Sequence, residues 1–180
     1  MKRHRPAFSR LLVVKDLPAR GRDVVVEATE KEREAIAREL ALPGVDSLVA
    51  SYHVSPTTGG ARIAGEVVAH IRQICVVSLE TFPTQVCEAV DMVFAIPIER
   101  VADPQPQGEL VISPDDEDPP EALIDGKIDL GVVTFEFLAL GLDPYPRKAG
   151  AKFAFKDAAE NAPSPFSVLA ERAAKGSSGD

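Results

Sequence analysis

A chain of 180 residues, 45% hydrophobic and 27% charged, is long enough for one domain with a real core plus tails. This balance is ordinary for a soluble globular protein, and no apolar run approaches the length a membrane span requires, so a cytoplasmic protein without membrane contact is expected. The formal net charge of −8 weighs against nucleic acid as a ligand until its distribution is considered. Eight acidic residues (Asp103, Glu109, Asp115, Asp116, Glu117, Asp118, Glu121 and Asp125) lie between positions 101 and 126 with no Lys or Arg among them, and they equal the whole net charge. The remainder is neutral overall, with a basic start at Lys2, Arg3, Arg5 and Arg10. A neutral body with a basic arm and an acidic loop leaves both RNA and a basic protein open as partners.

The basic opening is followed only by Leu11 to Val14 before Lys15 and Asp16 intervene, which is too short for a secretory apolar region. Residues 10 to 14 and 23 to 28 are rich in β-branched and aliphatic side chains and predict strands, with a turn marked by Pro18 and Gly21. Thr29 and Glu32 have the spacing of a capping box. A helix is expected from there to about Leu40, with Ile36 and Leu40 facing the core and Pro43-Gly44 stopping it. Residues 45 to 55 and 61 to 76 predict a long hairpin closed by Thr58-Gly59-Gly60. Ile63, Val67 and Ile71 would share one face, and Arg62, Glu66, His70 and Arg72 the other. Residues 84 to 96 resume as a strand with Val90, Met92, Phe94 and Ile96 on one face, ended by Pro97.

The Pro-rich acidic stretch over 102 to 121 is expected to be a mobile loop. Asp129 is the expected N-cap of a last helix over Leu130 to Leu142. Val133 to Phe137 alternates like a strand, but the apolar run is longer than a typical strand, and Pro144 and Pro146 stop it firmly. A polar tail over 156 to 180 follows, with room for a short amphipathic helix from Ser164 to Ala174.

Asp129, Glu136 and Asp143 are spaced by seven, a repeat that drifts only about 20° per step on a helix. They read either as a polar stripe that docks a basic surface or as a solvated helix face, opposite a core stripe of Leu130, Val133, Phe137 and Leu140. Tyr145 and Arg147 follow between prolines. A stiffly held Arg could contact phosphate with Tyr as a stacking face, or Arg147 could serve the carbonyls of its own helix end. Cys75 and His70 would point to opposite faces of one strand, which argues against a thiol–imidazole pair and for Cys75, like Cys87, as a buried small apolar residue. His4, His53 and His70 lack metal-ligand spacing, and no phosphate-cradle or nucleophile motif is present, so neither metal nor cofactor is expected.

The block from Ile128 to Lys148, IDLGVVTFEFLALGLDPYPRK, together with Gln73-Ile74-Cys75-Val76-Val77-Ser78-Leu79-Glu80, resembles the YceD family of large-ribosomal-RNA-subunit accumulation proteins in its alphaproteobacterial form. The acidic loop and the Ser164 to Ala170 segment fit the same order of elements. Many relatives carry C-x2-C in the central segment. Here Cys75 matches the first cysteine and Ser78 replaces the second, and a hydroxyl is a poor zinc ligand beside a thiolate.

The resemblance implies a role in synthesis, processing or stability of large-subunit (23S) ribosomal RNA. The expected fold is α+β: a mainly antiparallel sheet that could curl toward a barrel, with one early and one late helix, in a single domain over 1 to 155. The expected function is non-catalytic ribosome biogenesis through a large-subunit ribosomal protein or preribosomal particle, with rRNA contact open. The expected contacts are Asp129, Glu136, Asp143, Tyr145 and Arg147. The alternative is an rRNA-processing or rRNA-modifying enzyme, which needs clustered carboxylates with a divalent metal or a cofactor site.

Overall fold

The structure is a computed structural model that describes residues 7–97 and 120–153. The expectations for the basic residues 1–6, for nearly all of the 102 to 121 loop and for the tail beyond 153 lie outside the described residues.

The long hairpin forms as its alternation predicts. Strand β3 (Gly44–Thr57) pairs antiparallel with β4 (Gly60–Ile74) down to Thr57↔Gly60, leaving Thr58-Gly59 as the turn. Gly59 takes φ +87°, a left-handed conformation that glycine adopts without steric cost. Strand β5 (Thr81–Ala95) pairs antiparallel along the whole of β4, and β2 (Arg22–Glu27) pairs along the other side of β3. A short strand β6 (Glu121–Ala122) runs parallel to the end of β5 at Phe94 and Ala95. The order β2-β3-β4-β5-β6 leaves an open, mainly antiparallel sheet, so it does not curl into a closed barrel. Strands β1 (Leu11–Val13) and β7 (Lys127–Asp129) form a separate antiparallel ribbon. Strand β5 begins three residues earlier than the 84 start expected and includes Pro83. A proline is tolerated there because, among the described residues, β5 has no second neighbour at that point to ask for its missing N–H.

Period-2 alternation makes the sheet one-sided. Leu48, Ala50, Tyr52 and Val54 of β3 face Ala69, Val67, Gly65 and Ile63 of β4 across the ladder, and the side chains of this face are buried. Val86 and Val90 of β5 join them, with Met92 and Phe94 packed against the edge of the core. The other face carries Arg62 paired with Asp91, Ser47 bonded to His70, and Arg72 paired with Asp46. Cys87 lies on this outer face and is exposed, which corrects the expectation that it is buried: residues odd in number on β5 point away from Val86 and Val90. Ile96 is also exposed, because the strand ends at Ala95.

Two helices cover the buried face. Helix α1 (Glu30–Glu39) opens with the expected capping box and buries Ile36. It ends ahead of Pro43. Ala41 adopts φ +53°, and the amides of Ala41 and Leu42 return to the carbonyls of Arg38 and Ala37. Helix α2 (Leu130–Leu140) settles the helix-or-strand ambiguity as helix, capped at Asp129. It is too short to cross a membrane, and no other helix among the described residues is long and apolar enough to do so. Leu130, Val133, Thr134 and Leu138 form its buried arc, and Phe137 packs against it. Leu140 is 78% exposed, contrary to its expected core role, because it sits about 90° from the centre of that arc at about 100° per residue.

The core contains one buried hydroxyl pair. Thr134 donates to the Leu130 carbonyl at 2.7 Å, so the 2.8 Å contact with Tyr52 is completed by the tyrosine donating to Thr134 Oγ1. Burial holds the Tyr52 hydroxyl above its ordinary pKa. The two halves of the pair therefore differ in their cost of removal. Thr134→Val strands the tyrosine O–H in the core and is expected to cost about 2 kcal/mol, whereas Tyr52→Phe leaves Thr134 still bonded to Leu130 and is expected to cost about 1 kcal/mol. Urea denaturation of the two variants checks the ordering.

Candidate partner-binding surface

The five residues singled out in the sequence fall into three environments. Asp129 is consumed by structure. One carboxylate oxygen accepts from the amides of Arg10 at 2.7 Å, Gly131 at 3.0 Å and Val132 at 3.3 Å, and the other accepts from Ser9 Oγ at 2.6 Å. Gly131 permits this closeness, since a Cβ there would lie 2.7 Å from the Cα and N of Ser9. Arg10 extends the network as a two-point pair with Glu32, at 2.7 and 2.8 Å, while Glu32 also accepts from the Thr29 amide and hydroxyl. Arg10 first, and Thr29 after it, overcome the opposing effect of burial and hold the Glu32 carboxyl down at about 2.

Asp143 lies beyond the last residue of α2, so the seven-residue stripe does not form: Glu136 is the one member of the three on the helix itself. The Asp143 carboxylate accepts from the Tyr145 amide at 2.8 Å and shapes the exit. That exit docks on the turn between β4 and β5. The Asp143 carbonyl takes Gln73 Nε2 at 3.3 Å, the Pro146 carbonyl takes the Val76 amide at 2.9 Å, and Lys148 pairs with Glu80 at 2.9 Å. Cys75 is buried between the two segments, but not in an apolar niche. Its Sγ accepts from the amides of Ser78 and Lys148, each at 3.4 Å. Ser78, through its side chain and then its amide, together with the Lys148 amide, pulls the Cys75 thiol down to about 7. The strand ends before Cys75, and His70 is bonded to Ser47 instead.

This docking holds up a surface. Tyr145 is 72% exposed, and Arg147 is exposed with no hydrogen bond or ion pair among the described residues, so it does not serve the carbonyls of α2. The end of β4 and the turn to which the exit is bonded also expose the side chains of Ile74, Val76 and Leu79. Leu79 takes φ +58°, an uncommon conformation for leucine that its surroundings must sustain.

Glu136 belongs to a different place, a groove of about 540 Å³ between α2, β6 and the β1–β7 ribbon, which Asp129 also borders. Partial burial, and then the neighbouring carboxylate of Glu121, push the Glu136 carboxyl above its usual range. Glu121 was invisible as a neighbour in the sequence, where it belongs to an acidic run that gives no hint of which member returns to the sheet. A larger groove of about 730 Å³ beside α1 mixes Arg33, Arg38 and Arg72 with Glu30, Glu34 and Asp46, and its Arg72 is already paired with Asp46. Among the described residues, no group of three or more His, Cys, Asp or Glu converges as a metal site.

Two stability measurements test the network around Asp129. Asp129→Ala removes the partner of four donors and is expected to cost about 2–3 kcal/mol, above the about 1 kcal/mol of an isolated cap, with Asp129→Asn recovering part of it in chemical denaturation. Because the Glu32 pKa is depressed on folding, its contribution is full above about 4.5 and is lost as pH falls toward about 2. Glu32→Gln is thus expected to cost about 1–2 kcal/mol at neutral pH and nothing near pH 2, which denaturation curves across that window would register.

No family model, no curated protein and no solved structure matches this chain.

Proposed function

We propose that this protein is a cytoplasmic, non-catalytic ribosome biogenesis factor. It supports the synthesis, processing or stability of large-subunit ribosomal RNA by binding a ribosomal protein or a preribosomal particle. One observation carries the reading. The two segments on which the resemblance to the YceD family rests, 73 to 80 and 128 to 148, are far apart in the chain but lie against each other, joined through Gln73, Val76 and Lys148. The junction uses its polar groups, the Cys75 sulfur among them, to hold the two segments together, and it leaves Tyr145, Arg147 and several aliphatic side chains exposed. Exposed aliphatic side chains at the same junction as a stiffly mounted Arg and Tyr have the composition of an interface core. The charge partition supports the same class of partner, since ribosomal proteins and ribosomal RNA offer the opposite charges to the acidic segment and the basic arm.

Purification of the tagged protein from its own cells, with and without ribonuclease, tests the reading. Large-subunit ribosomal proteins that stay bound after ribonuclease are the expected result, and partners unrelated to the ribosome, or metal-dependent degradation of rRNA by the purified protein, overturn it. Arg147→Ala is expected to weaken the recovered association several-fold while leaving the unfolding midpoint unchanged, because Arg147 makes no internal bond among the described residues. A variant that instead unfolds would return Arg147 to a structural role.

A further inference from the structure

The groove that holds Glu136 is built differently from the exit surface. Met92 and Phe94 of β5, Ile128 of β7 and Val132 of α2 give it apolar walls, and the exposed side chains of Leu11 and Ile124 carry that apolar surface out past its mouth. Glu121 and Glu136 stand on its border as like charges, and burial and then the Glu121 carboxylate raise the Glu136 carboxyl above its usual range. Among the described residues the side chains of Glu121, Glu136 and Lys127, which all border the groove, make no hydrogen bond or ion pair. Asp129 is unavailable, since its oxygens are taken by Ser9, Arg10 and the start of α2. The arrangement is therefore an apolar slot bordered by three unpaired carboxylates, Glu121, Asp125 and Glu136, and by Lys127. Partial burial makes the charge on Glu136 costly, and an incoming cation would offset that cost.

We propose that this groove seats a short segment of a basic protein, with a lysine or arginine head between Glu121 and Glu136 and flanking aliphatic side chains on Met92, Phe94 and Val132. Phosphate is the wrong chemistry for the slot, because the carboxylates of Glu121, Asp125 and Glu136 outnumber the single cation, Lys127, on its border. A bare cation would use the carboxylates but leave the apolar walls wet, whereas a lysine or arginine stem covers such walls while its head stays at the acidic border. The openness at Leu11 and Ile124 suits a through-running segment more than a closed-in small amine. The inference rests on the ribosomal reading only for the origin of the partner; the chemistry of the segment follows from the groove itself.

The test uses the full chain and a capped probe peptide, acetyl-Ser-Val-Lys-Leu-Arg-Ser-amide, titrated at low salt with methyl resonances as the readout. Expected are shifts confined to Met92, Ile128 and Val132, weakening as salt rises, and an approximately tenfold or greater loss of affinity in the Glu121→Gln/Glu136→Gln double variant. The same peptide with Gln in place of Lys and Arg is expected to lose binding to a similar degree. Val132→Lys, which brings the protein's own cation into the slot, provides a second variant and is expected to abolish the shifts. Binding that is unaltered by these substitutions, shifts that map elsewhere, or groove shifts produced by a uridine-rich RNA hexamer and not by the peptide overturn the proposal. Purification from cells separates the two claims. If the unaltered protein carries no large-subunit protein, the ribosomal reading fails while the peptide result stands. If it carries them and the double variant carries them equally, the groove inference fails alone.

Discussion

Four donors share the carboxylate of Asp129, and most of the architecture outside the large sheet depends on that sharing. The amides of Gly131 and Val132 start α2, the amide of Arg10 and the hydroxyl of Ser9 fasten the N-terminal segment, and Arg10 then reaches Glu32 at the start of α1. One polar chain, Asp129 to Arg10 to Glu32 to Thr29, thus ties together the first turns of both helices and the entry to the β1–β7 ribbon. Each helix start supplies amides that need an acceptor, and each carboxylate is partly withdrawn from water. The network meets both needs at once. The remaining fastening is apolar: Phe8 is buried under the same junction, and its ring lies 4.8 Å from the Arg10 guanidinium.

The features legible in the residues were those set by short-range chemistry. Thr29 with Glu32, the Thr58-Gly59 turn, the alternation through Ile63, Val67 and Ile71, and the cap at Asp129 all depend on neighbours within a turn or along one strand, and each is present. What misled was extrapolation of a period past its physical support. A helix continued to Leu142 would have put Asp143 near the Glu136 face. The helix ends at Leu140, and Asp143 becomes the hinge of an exit that hydrogen-bonds its own Tyr145. Leu140 was assigned to the core by the same extrapolation, and it fails because the buried arc is centred elsewhere on a helix that is apolar nearly all round. Such a sequence carries almost no directional signal.

Contacts between distant positions were not legible at all. Nothing in the local pattern says that Ser9 meets Asp129, that Glu121 comes to the groove beside Glu136, or that the sulfur of Cys75 is served by an amide from Lys148. The amides of Ser78 and Lys148 both donate to that sulfur, which fastens the α2 exit to the turn after β4.

The β1–β7 ribbon also has a consequence in time. Its strands pair Leu11 with Asp129 and Val13 with Lys127 across most of the described chain, whereas β3, β4 and β5 meet through neighbouring turns. The entropy of closing a loop grows with its length, and the meander is therefore the part of the chain that can collapse first. During synthesis the first strand emerges well before its partner, so Phe8, Leu11 and Leu12 wait with no strand to pair with until Ile128 and Asp129 have left the ribosome. The N-terminal segment can therefore dock only once Asp129 has emerged, onto a meander whose strands have already had the chance to pair.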